Sequence, residues 1–263
     1  MKILVSGKGG SGKSTVCSLL ATGLAERGYR VLIVDTDESN FGLGASLGLE
    51  DPVELMDYVG GKKAIGDKMR AAFSKGGREA IEWGPLLDRS WRIEEIPREC
   101  LSSRDNIYMM QVGKVKHFGE GCACPMGGLS SVFLDRLRLS PKDVAIVDTE
   151  AGVEHLGRGV EQGVDLILVV LDPSYESLKL AEKIDSMAGE AGKPTYFILN
   201  KVDDGAASQM TECIGKDKII AVLPRDADVE ALGLKGLPLN KAVPGFSAIN
   251  DFVVRQMTEG TGL

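Results

Sequence analysis

Residues 7–15 read GKGGSGKST and constrain this chain more than any other stretch. An apolar run, Ile3–Leu4–Val5, precedes them, and a helical pattern from Thr15 to Glu26 follows. Strand, glycine-rich turn and helix N-terminus are the setting a phosphate-binding loop requires, and the G-x-x-x-x-G-K-[ST] spacing is complete. Glycines at 7, 9, 10 and 12 let backbone N–H groups turn inward on a polyphosphate with no Cβ in the way. The helix behind them adds the positive end of its dipole. Gly9, Gly10, Ser11, Gly12, Lys13, Ser14 and Thr15 are therefore expected to hold a nucleotide. Lys13 reaches the outer phosphates, and the Ser14 hydroxyl ligates Mg²⁺. A second lysine, Lys8, lies inside the loop without being required by the spacing.

Apolar runs of strand length recur at 2–5, 31–34, 107–112, 144–147, 166–171, 196–199 and 219–223. They are near-continuous rather than alternating, which is the mark of strands covered on both faces. Helical patterns fall between them at 14–27, 127–138, 174–190 and 248–257. Alternation of this kind predicts an α/β chain with a doubly wound, mostly parallel sheet and right-handed crossovers. Ligands of such folds sit beyond the carboxyl ends of the strands, where the glycine loop lies. Residues 50–105 fit the pattern less well, being polar and interrupted by Gly60–Gly61 and Gly76–Gly77. They are expected to form a helical insertion or an irregular lid within a single domain spanning 1–263.

Composition bears on partners. Net charge is −7 and no lysine-rich run occurs, which argues against a nucleic-acid partner. No apolar stretch has membrane-spanning length, so no membrane partner is expected. The first strand begins at residue 2, leaving no room for a leader, and the expected location is cytoplasmic.

Two segments should converge on the phosphates. VDTDESN (34–40) places Asp35 and Asp37 on one side of an extended chain, and a carboxylate there can orient a water beside the γ-phosphate. IVDTEAGVEH (146–155) ends an apolar strand at Asp148, where a Mg²⁺-supporting carboxylate belongs, and Gly152 follows in a D-x-x-x-G spacing. The Gly152 N–H is expected to sense the γ-phosphate. For the base, NKVD (200–203) matches the N-K-x-D guanine motif literally, in which Asp203 would read guanine.

GEGCACPMGG (119–128) holds Cys122 and Cys124 as a C-x-C pair. Two thiolates so close can face one soft metal ion, but two sulfur ligands do not close a tetrahedral site. No second close pair exists among the five cysteines. Two-fold symmetry, with one pair from each of two subunits, supplies four ligands most economically.

Lys8 to Ser14 resembles the K-G-G-x-G-K-[ST] pattern of the deviant-Walker-A P-loop family, which includes MinD, ParA and the nitrogenase iron protein. The resemblance implies a nucleotide-dependent homodimer in which Lys8 reaches phosphates bound to the opposite subunit. It implies a catalytic set of Lys8, Lys13 and Asp37, and a Mg²⁺ site of Ser14, Asp37 and Asp148. Asp37 is followed by Glu38 where many members have proline. Asn200 and Lys201 fall where an adenine-contacting asparagine is often found, and Pro224 in LPRDADV falls where the base pocket is lined, favouring ATP over GTP. GKGGSGKST, DTEAGVEHLGRG and GEGCACPMGG together look like the CooC-type nickel-insertion ATPases. That likeness implies Ni²⁺ or Zn²⁺ at a Cys122/Cys124 interface site and a client such as carbon monoxide dehydrogenase or acetyl-CoA synthase. Rival readings are an iron-protein-like electron-transfer ATPase, a MinD/ParA-like positioning ATPase and a nickel-handling GTPase.

Overall fold

The structure, a computed structural model, describes residues 1–73, 87–116, 124–153 and 163–259. Its centre is an eight-stranded sheet in the order β3-β4-β2-β5-β1-β6-β7-β8. The strands are β1 Lys2–Gly7, β2 Arg30–Asp35, β3 Ser102–Arg104, β4 Ile107–Gln111, β5 Asp143–Asp148, β6 Leu166–Leu171, β7 Thr195–Asn200 and β8 Ile219–Leu223. Every pairing is parallel except β3 with β4. The expected α/β class and mostly parallel sheet are thus observed. One strand escaped the sequence reading: β3 is three residues, Ser-Ser-Arg, turning back through Asp105 at φ 54° onto β4. It carries no apolar residue to betray it.

The helices are α1 Lys13–Glu26, α2 Leu43–Leu47, α3 Leu55–Tyr58, α4 Gly61–Phe73, α5 Cys124–Arg136, α6 Tyr175–Glu190, α7 Asp204–Ile214, α8 Ala227–Leu234 and α9 Ser247–Glu259. They cover both faces of the sheet. Leu4, Leu32, Val34, Ala145, Val147 and Ile167 point into one apolar layer, shared with Phe133 and Ile184. Their neighbours Ile3, Val5, Val31, Ile33, Val144 and Ile146 point into the other, with Leu20 and Val253. Burial on both sides explains why each central strand is apolar at successive positions.

Within 50–105, Gly60 lies between α3 and α4 and Gly61 opens α4, both in left-handed conformations, φ 105° and 88°. Leu55, Ile65, Trp91 and Cys100 of this stretch join the layer that holds Phe133 and Ile184. On the other face, α9 buries Ile249, Val253 and Met257 in the layer that holds α1. No helix among the described residues is long and apolar enough to cross a membrane.

Candidate nucleotide site

The carboxyl end of β1 lies between those of β5 and β6, and the glycine loop crosses it. Gly12 caps α1 at φ 103° with no side chain accepting from the helix's first N–H groups, and no acidic residue occupies the first turn. A helix start left this open presents orphan donors to an anion. Gly7 and Gly12 are sterically required. A Cβ on Gly7 would strike the Val170 carbonyl and come within 2.8 Å of Ser11 Oγ, and one on Gly12 would strike the Asn200 amide. A cleft of ≈ 490 Å³ is lined by Gly9, Gly10, Gly12, Lys13, Ser14 and Thr15 together with Asp37 and Lys201. Ser11 is buried beneath it, its carbonyl accepting from Asn200 Nδ2 at 2.8 Å. Lys13 Nζ and Lys201 Nζ donate to the carbonyls of Lys8 (3.3 Å) and Gly10 (3.0 Å).

Asp148 is fully buried, and Ser14 Oγ donates to its Oδ2 at 2.6 Å. Asn40 Nδ2 bridges the two, 2.9 Å from Ser14 Oγ and 3.1 Å from Asp148 Oδ2. Asp148 Oδ1 is buried without a hydrogen-bond partner. Burial raises the Asp148 pKa above the usual carboxylate range, although Ser14 and Lys13 work against it. An orphaned buried carboxylate oxygen beside a serine hydroxyl fits a hard divalent cation, so the donor set suits Mg²⁺. Asp37 is nearly buried, and its Oδ1 accepts from Ser39 N (2.9 Å) and Ser39 Oγ (2.7 Å). Gly152 takes φ 99°, and its N–H donates to the Gly7 carbonyl at 3.3 Å.

Lys8 turns away from the cleft. Its Nζ lies 3.1 Å from Asp172 Oδ2, 3.1 Å from Ser174 Oγ and 3.7 Å from Glu176 Oε2, all just beyond β6. Burial opposes ionisation of Asp172, but the Ser177 and Ser174 hydroxyls and the Lys8 ammonium hold its carboxyl below the ordinary range.

A second cavity, ≈ 450 Å³, adjoins the first at Thr15 and is lined by Asn200, Lys201, Pro224, Val229 and Phe246 among others. Its walls are apolar with a few polar groups, the composition of a base pocket. Asp203 is engaged elsewhere, as the N-cap of α7, accepting from Ala206 N at 2.8 Å.

Sequence reasoning missed Asn40, although VDTDESN contains it. It also missed Lys114, whose buried Nζ donates to Asp35 Oδ2 (2.6 Å) and to the Asp37 carbonyl (2.6 Å). No local pattern marks that residue. Cys124 begins α5 and is exposed, away from both cavities just described, while Cys122 lies outside the described residues. Among the described residues no group of three or more His, Cys, Asp or Glu is placed to hold a metal ion. Cys17 is buried beside Asp148, and burial pushes its thiol pKa far up, consistent with an inert role.

Residues 2–239 match the family described as the CobQ/CobB/MinD/ParA nucleotide binding domain. An uncharacterized ATP-binding protein of Methanocaldococcus jannaschii is 45% identical over 253 residues, 96% of this chain and 98% of that protein. The carbon monoxide dehydrogenase accessory protein CooC of Rhodospirillum rubrum is 32% identical over 242 residues, 90% of this chain and 88% of that one. Among solved structures, the septum site-determining protein MinD complexed with Mg-ADP from Pyrococcus horikoshii superposes with a TM-score of 0.67 at 20% identity, covering 100% of this chain and 98% of that one. With the phosphate loop, the buried Ser14–Asp148 pair and the sheet order all in agreement, the chain belongs to the CobQ/CobB/MinD/ParA nucleotide-binding family and is a P-loop ATPase of the MinD/ParA type.

Proposed function

We propose that this ATPase is a cytoplasmic maturation factor of the CooC type, which couples ATP-dependent homodimerisation to delivery of nickel to a client enzyme. Carbon monoxide dehydrogenase and acetyl-CoA synthase are the client classes. The observation that carries this reading is the C-x-C pair in GEGCACPMGG, in a chain 32% identical to a carbon monoxide dehydrogenase accessory protein. In this reading residues 1–263 form one unit with a family-specific stretch at 50–105. Lys13 and the α1 N-terminus bind the β- and γ-phosphates, and Asp37 orients the attacking water. Lys8 leaves Asp172 and crosses to the partner's phosphates, neutralising charge that develops in phosphoryl transfer. Ser14, Asp37 and Asp148 would hold Mg²⁺, which when bound supplies charge neutralisation at the phosphates. Gly152 N–H exchanges the Gly7 carbonyl for the γ-phosphate, so hydrolysis returns it to the loop. Closure brings Cys122 and Cys124 of both subunits together as four thiolates, a donor set suited to Ni²⁺ or Zn²⁺.

A Cys122→Ser/Cys124→Ser variant is expected to lose stoichiometric Ni²⁺ and Zn²⁺ binding, one ion per dimer, in an anaerobic titration. Unchanged stoichiometry sinks the interface site. Base choice has its own test. Asp203 is committed to capping α7, and it does not line the cavity that Asn200 and Pro224 share. Turnover with ATP is therefore expected to exceed that with GTP by at least about fivefold, since a buried unmatched polar edge costs about 1–3 kcal/mol. Equal turnover would reinstate Asp203 as a guanine reader. Against a membrane-positioning role stands the use of α9's apolar face, which is buried against the α1 side of the sheet.

A further inference from the structure

A cavity of ≈ 710 Å³ lies between α3, α4 and the start of α5, outside the phosphate and base clefts. Its apolar part is built from Met56, Met69 and Met126, each nearly buried. Gly113 keeps the space beside two of them open: a Cβ there would come within 2.8 Å of Met126 Sδ and 3.2 Å of Met56 Cβ. Among the described residues the charged lining is lopsided. The two acids there, Glu54 and Asp57, are already paired with Lys116, at 2.9 and 2.6 Å. Lys114 is committed to Asp35 and the Asp37 carbonyl. That leaves Lys62, Lys63 and Arg70 in a chain whose net charge is −7. Arg70 pairs with Asp67 on its own helix. Among the described residues Lys62 has no partner: its Nζ is shielded from solvent and makes no hydrogen bond.

A shielded ammonium without an acceptor has lost hydration and regained nothing, an expensive state for a lysine. Anything that brings an anionic oxygen to it recovers that loss. The methionine floor rewards an apolar body on the same molecule, and flexible thioethers adapt to its shape. The volume is that of a small-molecule site. We propose that this cavity binds a small organic anion, with its carboxylate on Lys62 and Lys63 and its apolar body on Met56, Met69 and Met126. The site goes beyond the maturation role, and its existence does not depend on that role. Its position does give it a consequence. One wall is Lys114, which holds the Asp37 loop, and another is Cys124 and Pro125, so an occupant would touch both the Asp37 side and the C-x-C segment.

The test uses the full chain with methyl-labelled methionine and octanoate as probe, followed by NMR and calorimetry. Octanoate is expected to bind one-to-one and shift the Met56, Met69 and Met126 methyl signals saturably. Octanol, lacking the charge, and acetate, lacking the apolar body, are each expected to bind at least about tenfold more weakly, the equivalent of 1.4 kcal/mol. Lys62→Gln is expected to weaken octanoate about tenfold with ADP affinity unchanged, and Lys63→Gln about threefold, whereas Lys218→Gln, outside this cavity, leaves it unchanged. Three outcomes overturn the proposal. One is the absence of saturable shifts. Another is equal binding of octanol and octanoate. The last is octanoate affinity indifferent to both Lys62→Gln and Lys63→Gln.

Discussion

Replacing Lys114 with methionine is expected to destabilise the fold by about 3–5 kcal/mol, the usual consequence of stranding one member of a buried ion pair. The Lys114 side chain is 4% exposed and that of Asp35 0%, so neither charge has water to fall back on. Lys114 contributes more than a counter-charge. Its Nζ ties Asp35 Oδ2 to the Asp37 carbonyl, while Asp35 Oδ1 accepts from Asp37 N at 3.1 Å. The neighbouring backbone continues the clasp: Lys114 N donates to Glu54 Oε2 at 2.9 Å and Val115 N to the Glu38 carbonyl at 3.1 Å. Methionine matches the stem's length but leaves a carboxylate alone in the core. Asp35→Asn in the same background should therefore recover much of the loss, and a double-mutant cycle from denaturant melts measures the coupling. The sign with pH follows from Asp35. Burial drives its pKa up to about 7, against the pull of Lys114. A carboxyl whose folded pKa lies above its unfolded one contributes most stability below the unfolded value, and loses it as pH rises through the folded value. Without Lys114 the pKa climbs further. The gap between parent and Lys114→Met, measured in EDTA without nucleotide, should accordingly widen from pH 6 to pH 9. A gap that narrows, or a double variant no better than the single, refutes the account. Because the clasp also fixes the Asp37 loop, ATP turnover should fall even where the variant is folded.

Lys114 illustrates what a sequence conceals. It lies 79 residues from Asp35 and sits in a stretch, Val112 to Lys116, with no recognisable pattern. The strands were legible for the opposite reason. Burial on both faces demands apolar residues at successive positions, so Leu166–Leu171 announces itself, and β3, a polar three-residue edge, does not. The phosphate loop was legible because its geometry excludes side chains: only glycine tolerates φ 103° at position 12 with the Asn200 amide against it. Asn40 stood inside a run singled out for its acids, yet its bridge between Ser14 and Asp148 needs β5, 108 residues away. The N-K-x-D run is ambiguous in another way. Asp at its fourth position is also a preferred helix cap, and here α7 begins directly after it.

Lys8→Ala is expected to lower ATP turnover by about 10³-fold or more, the range in which a cation supplied across an interface acts in phosphoryl transfer. It should also abolish the ATP-dependent dimer, while leaving ADP affinity of the single subunit within a few-fold of the parent. The expectation is sharp because Lys8 does not line the phosphate-loop cleft in this structure. It rests on Asp172, Ser174 and Glu176 beyond β6, and the cleft's own cations are Lys13 and Lys201. The resting contact is partly open to solvent and therefore weak, since pairs of this kind contribute at most about 1 kcal/mol. Desolvated charges meeting across a closed interface interact far more strongly than that. In the proposed dimer that difference would allow the lysine to leave. Asp172→Asn, which weakens the resting contact, should then shift dimerisation to lower ATP concentration by less than about fivefold, with kcat near the parent's. Light scattering and steady-state turnover of both variants separate the two roles. If Lys8→Ala dimerises and hydrolyses like the parent, Lys8 belongs to its own subunit after all. If Asp172→Asn loses turnover as severely as Lys8→Ala, the β6 carboxylate is part of the reacting site rather than a resting place.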